Sequence, residues 1–182
     1  PLTDEKSNVR AIAQAFLPTG ARVFPIGTDI ADHKLAGNSA NAKLAEPFRA
    51  WRGGADGEPR VLRTQGRDVE IPRAAPGVAM ADFLDWCARP MGAADFICIA
   101  ANFHTVIVAH IPRMGPDSKD KAVRFVTMID EFYEKKVKFI CSAATAPTGL
   151  YIEGDSAFEF QRTVSRLMEM QSPEYLALGH IA

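Results

Sequence analysis

An α/β fold, with parallel strands joined by a helix, is predicted by three consecutive stretches of this sequence. "HTVIVAHIP" (104–112) is a short apolar, β-branched run, the pattern of a buried strand. "DSKDKAVRFVTMIDEFYEKK" (117–136) places Ala122 or Val123, Phe125, Ile129, Phe132 and Tyr133 on or near one helical face, with Lys135 and Lys136 in its last turn. "VKFICSA" (137–143) is a second buried strand. Strand, helix and strand of these lengths form a βαβ unit, which requires parallel strands and a crossover between them.

The remaining elements follow in chain order. Thr3 is placed as an N-cap, with Asp4 and Glu5 favouring the positive end of a helix. Val9, Ile12, Ala13 and Phe16 share a face, and Pro18 and Gly20 stop the helix. Val23, Phe24 and Ile26 fit a short strand before the chain turns polar. Leu44, Phe48 and Trp51 suggest another amphipathic helix, ended by Gly53, Gly54 and Gly57. Residues 1–60 are therefore expected to be a helical N-terminal segment, and residues 61–182 a C-terminal α/β region. That region opens with "PRVLRTQGRDVEIPRA", a β-hairpin over 61–72 turning at Gln65-Gly66 and closed by Pro72. Met80–Cys87 and Ala93–Phe103 read as two short helices separated by Pro90 and Gly92, with Asp82 and Asp95 near their starts. Pro147 and Gly149 mark a loop, and the last helices run from about Phe160 to Leu178.

The 182 residues, 47% hydrophobic and 24% charged, suit an ordinary globular chain with a real core. A net charge of -1 provides no basic field for nucleic acid or an acidic membrane surface. No apolar run approaches a membrane span, and no signal-peptide pattern opens the chain. The three cysteines, Cys87, Cys98 and Cys141, form no CxxC pair, so they read as reduced core thiols of a cytoplasmic protein. Translation begins at Met. A chain beginning at Pro1 therefore reads as a processed product, an expressed piece or part of something longer.

The chemical motifs are sparse. The sequence contains no GxxxxGK followed by Ser or Thr, and no HExxH, GxSxG or Cys/His cluster. The histidines His33, His104, His110 and His180 are scattered; His104 and His110 flank the first buried strand and read as caps of its two ends. "FVTMIDEF" has the apolar-run-then-acid look of an ATPase metal-binding strand, but its helical spacing makes Asp130 and Glu131 surface or interface charges. In "FEFQRTVSRLMEMQSPEYL" (158–176), Phe160, Val164, Leu167 and Gln171 share one face, and Arg162, Arg166 and Glu169 the opposite one. From spacing, that second face is solvated, with Arg166 and Glu169 as an exposed pair; the alternative is an arginine reaching a phosphate or a neighbouring subunit. A thiol hydrolase built on Cys141 or Cys87 is a third reading, with no base visibly paired to either thiol.

Several long stretches resemble, in order, the C-terminal part of the ZapE / ATPase-family-gene-one-like ATPases. They are "ARPMGAADFICIAANFHTVIVAHIP", "RFVTMIDEFYEKKVKFICSAATAPTGLY" and "FEFQRTVSRLMEMQSPEYL", with "GRDVEIPRAAPGV" matching the family's hairpin and "PLTDE" its segment just after the nucleotide-binding core. The resemblance is dense from about Val61 to Leu176, whereas Arg22 to Ala50 departs from the family pattern. It implies a parent that is a P-loop, AAA-type ATPase using ATP and Mg²⁺, acting in protein remodelling or cell division. The P-loop, metal-binding strand and sensor asparagine of the family fall upstream of "PLTDE", so this chain alone is expected to bind no cofactor and to be inactive. The resemblance further implies a homo-oligomer, contact with an upstream ATPase core and with a protein substrate or division-ring protein, and no membrane or nucleic-acid partner. The candidate arginine-finger or sensor residues are Arg124, Arg162 and Arg166. The rival reading is a free-standing, non-enzymatic interaction module related to that family.

Overall fold

The computed structural model describes residues 57–64, 66–154 and 157–182. The N-terminal helices and the strand at Val23–Ile26 expected from sequence lie outside those residues. Five strands form one sheet in the order β1-β2-β3-β4-β5. β1 (Glu58–Thr64), β2 (Arg67–Ala75) and β3 (Val78–Asp82) are antiparallel neighbours; β3, β4 (Thr105–Ile111) and β5 (Lys138–Ala143) run parallel. Helices α1 (Phe83–Cys87) and α2 (Ala93–Asn102) connect β3 to β4, and α3 (Lys119–Glu134) connects β4 to β5. α4 (Ala157–Glu169) and α5 (Pro173–Ala177) follow. The fold class is the α/β one that the sequence predicts, with its βαβ unit in β4, α3 and β5.

Two expectations need correction. The hairpin does not close at Pro72: β2 continues to Ala75. The register shifts there, with Arg60 opposite Ile71 and Glu58 opposite Ala74, so Pro72 sits in a bulge where its missing N–H costs no regular ladder bond. Nor does a helix run from Met80 to Cys87. Val78–Ala81 is a buried strand, in parallel register with Thr105–Val108, and the helix begins only at Phe83. Asp82 makes the switch. Its carboxylate accepts the Leu84 N–H at 3.0 Å, while the Asp85 carboxylate accepts the Asp82 N–H at 2.8 Å, a reciprocal cap.

The parallel strands are buried on both faces, as such strands usually are. Ala79, Ala81, Val106, Val108, Phe139 and Cys141 face the main core, whereas Val78, Met80, Ile107, Ala109 and Ile140 join Ala75 in a second cluster. Aromatic rings bind the helical layer together. Phe125 of α3 lies 6.0 Å from Phe83 and stacks 6.1 Å from Phe160, which in turn lies 5.5 Å from Tyr151. At the opposite end of β5, Lys138 is 2% exposed and donates to the carbonyl of Leu178 at 2.6 Å, anchoring the chain after α5.

The turn between β2 and β3 depends on Gly77, at φ 74°. A Cβ there would come within 2.2 Å of the His104 imidazole as well as adopting a left-handed conformation. Gly77→Ala is expected to lower unfolding stability by about 1–2 kcal/mol. Urea denaturation of the purified variant checks this.

Candidate functional site

The three candidate arginines go to two different places. Arg124, on α3, donates to the carbonyl of Cys87 at 3.1 Å. It thereby satisfies the carboxyl end of the five-residue α1 and is committed to packing α1 against α3. Arg162 and Arg166, on α4, meet Asp130 and Glu134 on α3.

Phe160, Val164 and Leu167 bury one stripe of α4 against the core. α3 and α4 then run side by side in the same direction, with Arg162 reaching Asp130 and Arg166 reaching Glu134, each across 32 residues of sequence. Arg162 donates to one Asp130 oxygen at 2.5 Å, and Arg166 pairs with the other Asp130 oxygen and with Glu134 at 3.1 Å. The Arg166 guanidinium also lies over the Tyr133 ring, 4.9 Å from its centroid. Glu169 is not the partner of Arg166 that helical spacing suggests. It accepts the hydrogen bond of the Tyr133 hydroxyl, and that bond, more than burial, pushes the Tyr133 pKa up. Glu131 is pushed up too, first by burial and then by the neighbouring Asp130 charge.

The two arginines differ in what they can do. The Arg166 side chain is 20% exposed, held by two carboxylates and a ring. The Arg162 side chain is 62% exposed and shares a carboxylate that Arg166 already neutralises. Arg162 can therefore swing to an outside anion without leaving a buried charge unpaired. Asp130, held by both arginines, serves their network, and among the described residues no group of three His, Cys, Asp or Glu is placed to hold a metal ion.

A second constellation was not legible in the sequence. At the C-terminal ends of the parallel strands, the usual ligand side of an open α/β sheet, His110 points Nδ1 at the Asp82 carboxylate. Its backbone N–H donates to the Ser142 Oγ at 2.9 Å. His110 has φ 59° and lies where the β4–β5 register shifts, so it joins the ends of β3, β4 and β5. The available signal was a polar residue inside an apolar strand run. His104, at the other end of β4, instead contacts the Thr105 hydroxyl at 2.9 Å and lies against His180.

The cysteines are unsuited to nucleophilic work. Burial pushes the Cys141 thiol up to about 12, and burial, outweighing the nearby Arg124 charge, does the same to Cys87. Cys98 is raised as well, by burial and then by Asp95. In the native protein at pH 8, iodoacetamide is expected to leave Cys87 and Cys141 unmodified and to react only slowly at Cys98, as read by intact-mass and peptide mass spectrometry. Rapid native labelling of Cys141 would contradict this.

A mixed sheet with three parallel strands and helical crossovers between them defines an α/β chain. The chain belongs to the AFG1-like ATPase family, whose sequence model matches residues 27–178. It is 34% identical over 176 residues to "Lactation elevated protein 1 homolog B" of Danio rerio, covering 79% of this chain and 35% of that protein. It is 32% identical over 145 residues to "Cell division protein ZapE" of Escherichia coli K12, covering 80% of this chain and 39% of that protein. The chain thus spans well under half the length of these relatives. No solved structure matches it. Among the described residues, no helix is long and apolar enough to cross a membrane.

Proposed function

We propose that this chain is the C-terminal region of a ZapE-type ATPase of the cytoplasm. The rest of that protein would bind ATP and Mg²⁺. This region supplies an arginine to a phosphate held by a second copy, and so supports self-assembly, and it contacts a protein substrate, a division-ring protein in the bacterial setting. The observation that carries the reading is the state of Arg162: exposed, on a rigid helix, and the second cation on one carboxylate. A guanidinium so placed matches phosphate oxygens in a two-pronged geometry and keeps its charge at any pH. Arg166 keeps Asp130 neutralised when Arg162 leaves it for a phosphate, while Arg124 secures α1.

The reading is tested by titrating a fluorescent ATP analogue, with phosphate release followed in parallel, against this chain and against the full-length protein. The chain alone is expected to show neither binding nor turnover, and the full-length protein both. Turnover by the chain alone would overturn the reading. A full-length protein that neither binds nor hydrolyses ATP would point to the interaction-module alternative.

A further inference from the structure

All five described helices pack on one side of the sheet: Phe83 of α1, Phe96 of α2, Phe125 of α3, Phe160 of α4 and Tyr175 of α5 all belong to the main core. The other face of the parallel strands carries the second cluster, in which Met80, Ile107 and Ile140 form one row across β3, β4 and β5. Among the described residues no helix contributes to that cluster, yet Val78 is 0% and Ile107 2% exposed. The chain after α5 reaches only the start of this face, where Lys138 donates to the Leu178 carbonyl, and the side chains of Leu178 and Ile181 stay exposed. At the far end, the Asp82 and His110 side chains are also partly open to water. The cover therefore lies over the middle of the face. It comes from within this chain, because the burial is complete without a partner.

We propose that the segment 44–51 is this cover, laid across β3, β4 and β5 by the apolar stripe of Leu44, Phe48 and Trp51. Position selects it. Glu58 opens β1 in the same cross-strand row as Ala74, Ala79 and Val106, one residue from the row of Met80 and Ile107. β4 lies three strand spacings from β1, about 14 Å. The residues 52–56 can span about 17 Å, so a segment ending at Trp51 reaches the middle of the cluster. Chemistry agrees. The spacing of Leu44, Phe48 and Trp51 puts all three on one side of a helix. The small Ala75, Val78 and Ala109 of the cluster leave room for such large side chains. The other apolar stripe, Val9, Ile12, Ala13 and Phe16, lies far upstream, with no short connection to tie it to β1. The segment and the sheet then share one core, so the division expected near residue 60 runs through a single folding unit. This proposal does not depend on the arginine reading.

The test uses the whole chain. Its two tryptophans are Trp51 and Trp86, so Trp86→Phe leaves Trp51 as the sole reporter. Trp51 emission is expected to be blue-shifted and weakly quenched by acrylamide, and to turn red in urea together with the loss of circular dichroism. Emission of a water-exposed indole, from a chain with a native circular dichroism spectrum, would overturn the proposal. A double-mutant cycle that keeps Trp86 locates the contact. Phe48→Ala and Ile107→Ala should each lower the urea midpoint, and together by clearly less than the sum of the two shifts. Ile107→Val takes the place of Ile107→Ala should that chain fail to fold. Additive shifts, or coupling of the Ile107 change to Phe16→Ala in place of Phe48→Ala, would overturn the proposal.

Discussion

Phe125→Ala is expected to lower the free energy of unfolding by about 3–5 kcal/mol, the largest stability loss of any single change considered. Phe125 is 0% exposed and is the ring through which α3 meets both α1 and α4. Its truncation leaves Phe83 and Phe160 facing a cavity that neither can fill without moving its own helix. Chemical denaturation monitored by circular dichroism checks the value, with Phe158→Ser as the matched control: the same residue type, exposed, expected to shift stability by less than about 0.5 kcal/mol. Loss of stability in the control but not in Phe125→Ala would mean that the helical layer is packed differently.

Arg162→Ala in the full-length protein is expected to reduce ATP turnover by roughly a thousandfold or more, the scale on which removing an arginine from a phosphoryl-transfer site acts. Nucleotide affinity should change far less, because an arginine in the proposed role acts chiefly on charge that develops in the transition state. Arg162→Lys should recover little, since an ammonium lacks the forked geometry. Stability should hardly change: Arg162 is 62% exposed at its side chain, and Asp130 keeps Arg166. Arg166→Ala should behave differently. It strips two carboxylates of their shared partner and uncovers the Tyr133 ring, so it should lower stability by about 1–2 kcal/mol along with any effect on turnover.

Local signals made much of this architecture readable. The hairpin announced itself through Gln65-Gly66, and Gly66 does adopt a positive φ of 79°. β4, α3 and β5 each carry a periodicity that one element type satisfies. β3 escapes a sequence reading because "VAMADFLDWC" (78–87) is apolar on both sides of Asp82, with no period to mark where strand gives way to helix. Only pairing with β4, set by distant residues, makes the first half a strand. The same limit hid the site. Helical spacing shows Glu169 beside Arg166, but the carboxylates that hold it come from α3, more than thirty residues earlier. Asp82 and His110 stand 28 residues apart and meet only because β3 and β4 end at the same edge. The raised thiol pKa values were half visible: apolar flanks suggested burial, while the placement of Arg124 beside Cys87 did not show.

The central claim, that Arg162 serves a phosphate held by another copy, is tested most directly by mixing two inactive full-length proteins. One carries Arg162→Ala; the other keeps Arg162 but has its own nucleotide-binding site disabled. Mixed assemblies are expected to regain phosphate release, because intact arginines then face intact nucleotide sites. A mixture no more active than the sum of its parts, at concentrations where ultracentrifugation shows that the copies assemble together, would contradict the claim.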